Sequence, residues 1–159
     1  MKKLIFLSML IICQVAVNAQ QSNTLKLMPV PKQVLLKTGK FRITNKFSIK
    51  VTGDANDTVL YKAVNRAYQL LNRKTGLVFG QQYITPQDTV SAIKMTVNVQ
   101  AKASMEIGLD ESYMLSIDEN SITLKAQNTI GALHGLQTLI QLCDKDENGY
   151  YFRRDQTTH

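Results

Sequence analysis

The sequence predicts an α+β fold, one antiparallel or mixed β-sheet with two α-helices packed on one face as a two-layer sandwich. Three observations predict it. Several segments alternate apolar and polar residues at a period of two, and two longer segments switch to a helical period. The residues between neighbouring strands are those of tight antiparallel turns.

The chain opens on an export signal, residues 1–19. Lys2 and Lys3 form a basic start, Leu4 to Ile12 an apolar core, and Val17-Asn18-Ala19 a small-residue cleavage site. The apolar run is too short to span a bilayer as a stable helix. Ile12 stands before Cys13 where a lipid-attachment site usually carries a small residue, so the reading is cleavage after Ala19 rather than lipidation. The protein is then exported, to the periplasm or beyond. About 140 residues remain, enough for one domain with one core. Loss of Lys2 and Lys3 takes the formal charge from +7 to +5. The remaining cations are scattered and no aromatic ladder runs between them, which speaks against a nucleic-acid surface.

Residues 20–26 read as a polar, mobile leader. Leu27-Met-Pro-Val-Pro31 is extended, because each proline biases its predecessor away from helix. Thr38-Gly39-Lys40 reads as a tight turn between short strands at 34–36 and 41–43. Phe47 to Val51 alternates as a half-buried strand. Leu60, Ala63, Val64, Ala67, Leu70 and Leu71 then recur at helical spacing, with Lys62, Arg66, Gln69 and Arg73 opposite as a solvated face. Asn56 or Asp57 can cap this helix, and Gly76 suits its left-handed stop.

After a loop around Thr85-Pro86-Gln87-Asp88, Ile93 to Val99 alternates as a strand. Tyr113 to Ile117 and Ile122 to Ala126 form a strand pair across Asp118-Glu119-Asn120. The last helix starts at Asn128 and carries Ile130, Leu133, Leu136, Ile140 and Cys143 on a broad apolar face. Gly131 and Gly135 stack on one side of it; glycine weakens a helix, so a close neighbour is expected there. Asp144 to Asn148 is a charged turn, and Tyr150-Tyr151-Phe152 a further strand.

No catalytic, cofactor-binding or metal-binding residue emerges from the inventory. His134 and His159 are too few and too far apart for zinc, Ser112 has no nucleophile-elbow motif around it, and there is no glycine-rich phosphate loop. Cys143, at the end of an apolar helix, reads as a small packed hydrophobe. His134 reads as a half-buried helix residue, with contact to a further domain as the sharper alternative.

Leu27-Met-Pro-Val-Pro-Lys32, Asp110-Glu-Ser-Tyr113 and Gly135-Leu-Gln-Thr-Leu139, in this order, resemble the N-terminal non-catalytic domain of bacterial β-N-acetylhexosaminidases, the family 20 glycoside hydrolases. The resemblance implies a zincin-like shape without a metal site and an accessory domain over residues 27–152. It also implies a partner, the catalytic barrel of the same chain. In the family the barrel carries an Asp–Glu pair and the substrate's acetamido group acts as nucleophile, a substrate-assisted route. Asp110 and Glu111 match a different motif. As neighbours on an extended strand they would point to opposite faces, so they are not expected to flank one glycosidic bond.

Where the family would continue into its barrel, this sequence reads Arg153-Arg-Asp-Gln-Thr-Thr-His159 and ends. These residues read as an irregular tail, 153–159, explained by a shifted frame, an early stop or a truncated gene assignment. The expected role is the accessory part of a secreted enzyme that releases terminal N-acetylhexosamine, not catalytic by itself. The alternative is a free-standing secreted module that binds glycan or protein. Against glycan, the chain has no Trp, and its Tyr and Phe residues show no platform spacing.

Overall fold

Alternation in the sequence becomes alternation of burial in the middle of the sheet. Strand β3 (Met95–Ala101) buries Met95, Val97 and Val99, β4 (Tyr113–Ile117) buries Tyr113, Leu115 and Ile117, and β5 (Ile122–Asn128) buries Ile122, Leu124 and Ala126. A computed structural model describes residues 27–54, 56–79, 93–102 and 107–158. The export signal, the leader, the loop around Pro86 and His159 lie outside the described residues.

The remaining strands are β1 (Gln33–Arg42), β2 (Ile49–Thr52), β6 (Cys143–Asp146) and β7 (Gly149–Thr158); the helices are α1 (Thr58–Thr75) and α2 (Thr129–Leu142). The sheet runs β1-β7-β4-β5-β3-β2, with β6 pairing with β7. Strands β2, β3 and β5 are mutually parallel, and the other pairs are antiparallel. A parallel pair needs a crossover, and α1 supplies it between β2 and β3. Strands β4 and β5 form the expected hairpin, closed by Asp118 N–H donating to Ser121 O at 2.9 Å.

Both helices cover the apolar face. The core between them and the sheet holds an aromatic group, Phe41, Phe47, Tyr68, Phe79 and Phe152, with ring centroids 5.6–6.3 Å apart in edge and tilted arrangements. Each buried ring is worth about 1.5–3 kcal/mol in transfer from water. Asp57 is the residue that caps α1, its Oδ1 accepting Leu60 N–H at 3.0 Å, and Gly76 ends the helix at φ 69°.

Three expectations are corrected. Thr38-Gly39-Lys40 does not turn the chain back: it is a bulge inside one long strand, both halves of which pair with β7. Gly39, at φ 109°, provides the kink, and a Cβ there would lie 2.7 Å from Arg154 Cδ. Residues 153–158 are not irregular. They continue β7 between β1 and β4, with Asp155 and Thr157 fully buried. The polar residues on the core side hid the period. Finally, α2 presents Gly131, Ala132, Gly135, Leu136, Leu139 and Leu142 inward, whereas Ile130, Leu133 and Ile140 are only half-buried. Apolar on two sides, the helix gave no single stripe to read.

Candidate functional site

The two clearest sequence marks meet in space. Tyr113, closing the Asp110–Tyr113 segment, lies against Gly135, and its hydroxyl is 2.7 Å from Thr138 Oγ1 in the buried layer between β4 and α2. Burial pushes the Tyr113 phenol up, so it stays neutral and free to hydrogen-bond. The glycines permit this approach. A Cβ on Gly131 would sit 2.6 Å from Ser112 O and 2.9 Å from Glu111 O, and one on Gly135 would overlap Leu124.

The Asp110–Glu111 pair lies in the connection before β4 rather than on the strand. Asp110 Oδ1 accepts Ser112 N–H at 3.0 Å, and Asp110 O accepts Asn128 Nδ2–H at 2.6 Å. Hydrogen bonds from Ser112 hold the Asp110 carboxyl below its ordinary value. Glu111 Oε2 lies 3.0 Å from His134 Nε2 on α2. Both acids thus tie this loop to the first turns of α2. His134 takes a half-exposed place on that helix, and Ser112 serves the loop through its side chain and its backbone N–H, both hydrogen-bonded to Asp110.

Cys143 is buried immediately past α2, and burial pushes its thiol up, away from the reactive thiolate. Among the described residues no three His, Cys, Asp or Glu side chains gather at metal-binding distance, and no helix is long and apolar enough to cross a membrane.

Two surface features remain. Basic residues crowd β1 and β7, but acids answer them: Lys37 faces Asp118, Lys40 and Arg42 share Asp146, Arg153 faces Asp144 and Arg154 binds Glu119. That cluster has little charge left for an anion. The other feature is a groove of about 360 Å³ along the outer side of the helix pair. Ala63, Ala67 and Leu70 of α1 form one wall, Leu133 and Ile140 of α2 the other, with Lys62 and Arg66 on the rim. Lys74 Nζ–H donates to Ile140 O at 3.1 Å and ties the helices together at one end. The sequence placed Leu133 and Ile140 on one broad apolar face; both are half-buried and line the groove, and Ile140 also packs against the core.

Residues 27–142 match a family model described as beta-acetyl hexosaminidase like. Among curated relatives, beta-hexosaminidase subunit B2 of Dictyostelium discoideum is 28% identical over 139 residues, covering 86% of this chain and 23% of the relative. Subunit A1 of the same organism is 34% identical over 83 residues, covering 50% and 16%. Among solved structures, a chitobiase from Flavobacterium johnsoniae superposes with a TM-score of 0.78 at 32% identity, over 87% of this chain and 21% of that one. A β-N-acetylhexosaminidase of glycoside hydrolase family 20 from Streptomyces coelicolor shares the fold at a TM-score of 0.59 and 23% identity. The chain spans a quarter or less of the length of the curated relatives it matches.

Proposed function

The chain belongs to the beta-acetyl hexosaminidase-like family, and from that premise we propose that it is the non-catalytic accessory domain of an exported β-N-acetylhexosaminidase. The parent enzyme would release terminal N-acetylhexosamine from glycans. Its catalytic part would seat on the groove between α1 and α2. The observation that carries this reading is a match across residues 27–142 to relatives of which those residues are only a small share. The groove supports it: half-exposed Leu133 and Ile140 beside Ala63 and Ala67 make an apolar strip that a neighbouring domain would dehydrate favourably. The acids of the Asp110–Tyr113 segment are spent on local structure, consistent with a supporting role.

A domain exchange tests the reading. This chain replaces the matching segment of the Flavobacterium johnsoniae chitobiase, and activity and thermal midpoint are compared with the parent and with a version lacking the segment. The exchanged enzyme should approach the parent, and Leu133→Asp should return it toward the deletion. An exchange indistinguishable from the deletion would overturn the proposal. The chain alone should show no turnover of a chromogenic N-acetylglucosaminide, and reproducible hydrolysis would equally count against it. Export follows from residues 1–19 and predicts a mature N-terminus at Gln20.

A further inference from the structure

Strand β7 is an interior strand whose second half carries acid where its neighbours carry apolar side chains. Its partner across the ladder at Thr157 is Leu115, which is fully buried, and Asp155 and Thr157 are fully buried too. Asp155 Oδ1 has no hydrogen-bond partner. Asp155 Oδ2 receives a single long bond, from Thr157 Oγ1 at 3.3 Å. An ionised carboxylate so poorly solvated is costly, whereas a protonated one leaves a neutral group in the core. Among the described residues, β1 pairs with β7 alone, and this half of β7 joins β4 through three residue pairs, Ser116–Gln156, Leu115–Thr157 and Met114–Thr158.

We propose that Asp155 makes β1 and the second half of β7 a proton-controlled clasp, docked on β4 while the carboxyl is protonated and loosened when it ionises. The groups that face Asp155 do not rescue the anion. From β1, Lys37 attracts it but is half-exposed and 3.5 Å from Asp118. From β4, Tyr113 is a neutral phenol held by Thr138 of α2. Beside it on β7, Arg154 turns its guanidinium to Thr38 O and Glu119. Burial accordingly pushes the Asp155 carboxyl up to about 6.

The sign follows. The closed state holds its proton to about pH 6, whereas an open, hydrated aspartate loses it near pH 4. Opening therefore becomes easier as pH rises from about 4 to 6, by about 100-fold in the equilibrium constant, and is level above that. The inference is independent of the family reading, because Asp155 lies past the matched residues 27–142.

The test is carbon-detected NMR of the Asp155 carboxyl, together with amide hydrogen exchange corrected for intrinsic rates from pH 4 to 7. Asp155 should titrate near 6. Amides of residues 153–158 and 33–42 should open ahead of those in β3 and β5, with a pH dependence that Asp155→Asn abolishes. Titration at or below about 4 would overturn the proposal. So would clasp amides that exchange only together with β3 and β5, or a pH dependence that survives in the Asn variant. Should that variant fail to fold, the titration and exchange of the natural chain decide alone.

Discussion

Asp57 joins the first turns of both helices: one carboxylate oxygen accepts Leu60 N–H at the start of α1, and the other accepts the hydroxyl of Thr129, the first residue of α2. Both residues are buried, and Asn128 beside Thr129 caps α2 through Ile130 N–H and Gly131 N–H. The two caps are therefore one network. Asp57→Ala removes a helix cap, worth about 1 kcal/mol. It also removes the hydrogen bond that the buried Thr129 hydroxyl donates to the carboxylate, worth about 1–3 kcal/mol. We expect a loss of about 2–4 kcal/mol in denaturant unfolding, and non-additivity with Thr129→Val in a double-mutant cycle. A loss near 1 kcal/mol with strict additivity would mean the helix ends act separately.

Gly131 and Gly135 look equivalent in sequence, but their neighbours differ. Alanine at Gly131 would drive a Cβ into the carbonyls of Ser112 and Glu111, which are backbone, whereas at Gly135 it meets side chains only, the end of Leu124 and the edge of the Tyr113 ring. Overpacking typically costs about 1–3 kcal/mol, against which Ala returns about 1 kcal/mol of helix propensity. Gly131→Ala should therefore be the more destabilising of the two by thermal or chemical unfolding. The reverse order would show that the loop before β4 yields more readily than the core.

Legibility followed how directly side-chain type reported environment. The cap and stop of α1, the β4–β5 hairpin and the close packing at the two glycines were readable because Asp57, Gly76 and Gly135 are chosen for local or immediate contacts. The bulge at Gly39 was not, because a glycine with positive φ serves a turn and a bulge alike, and only the long-range pairing with β7 separates them. The second half of β7 was misread since Asp155 and Thr157 occupy core positions that alternation reserves for apolar residues. The groove was hidden for the opposite reason. Leu133 and Ile140 look like core residues, and only the placement of α1 beside α2 shows that they are half-buried and line a groove.

Tyr68 offers a cleaner energetic probe. Its hydroxyl accepts Ile49 N–H at 2.7 Å, joining α1 to the first residue of β2, and burial pushes the phenol up to about 12. Tyr68→Phe keeps the ring among Phe47 and Phe79 but leaves the Ile49 amide buried and unpaired. A loss of about 1–3 kcal/mol is expected, with faster amide exchange concentrated at Ile49. An unchanged stability would mean that water reaches the amide.

Asp146 supplies the opposite pH dependence to Asp155. Its carboxylate takes two bonds from the Arg42 guanidinium and one from Lys40 at 2.7 Å, with Asn148 N–H at 3.0 Å, and Lys40 lies over the Tyr151 ring. Arg42 first and Lys40 second hold the carboxyl well below the usual carboxylate range. A depressed folded value means that its stabilisation is in place above the unfolded value near 4 and disappears as pH falls toward the folded one. Asp155, protonated when folded up to about pH 6, gives stability that declines as pH rises from about 4 to 6. The two limbs place the maximum contribution of this pair of acids near pH 4. Denaturant midpoints from pH 2 to 7 should then show a shallower acid limb in Asp146→Asn, where the lowered carboxyls of Asp110 and Asp144 still contribute, and should lose their upper limb in Asp155→Asn. If a single variant flattened both limbs, the end of β6 and the second half of β7 would be energetically coupled, and assigning each limb to one carboxylate would fail.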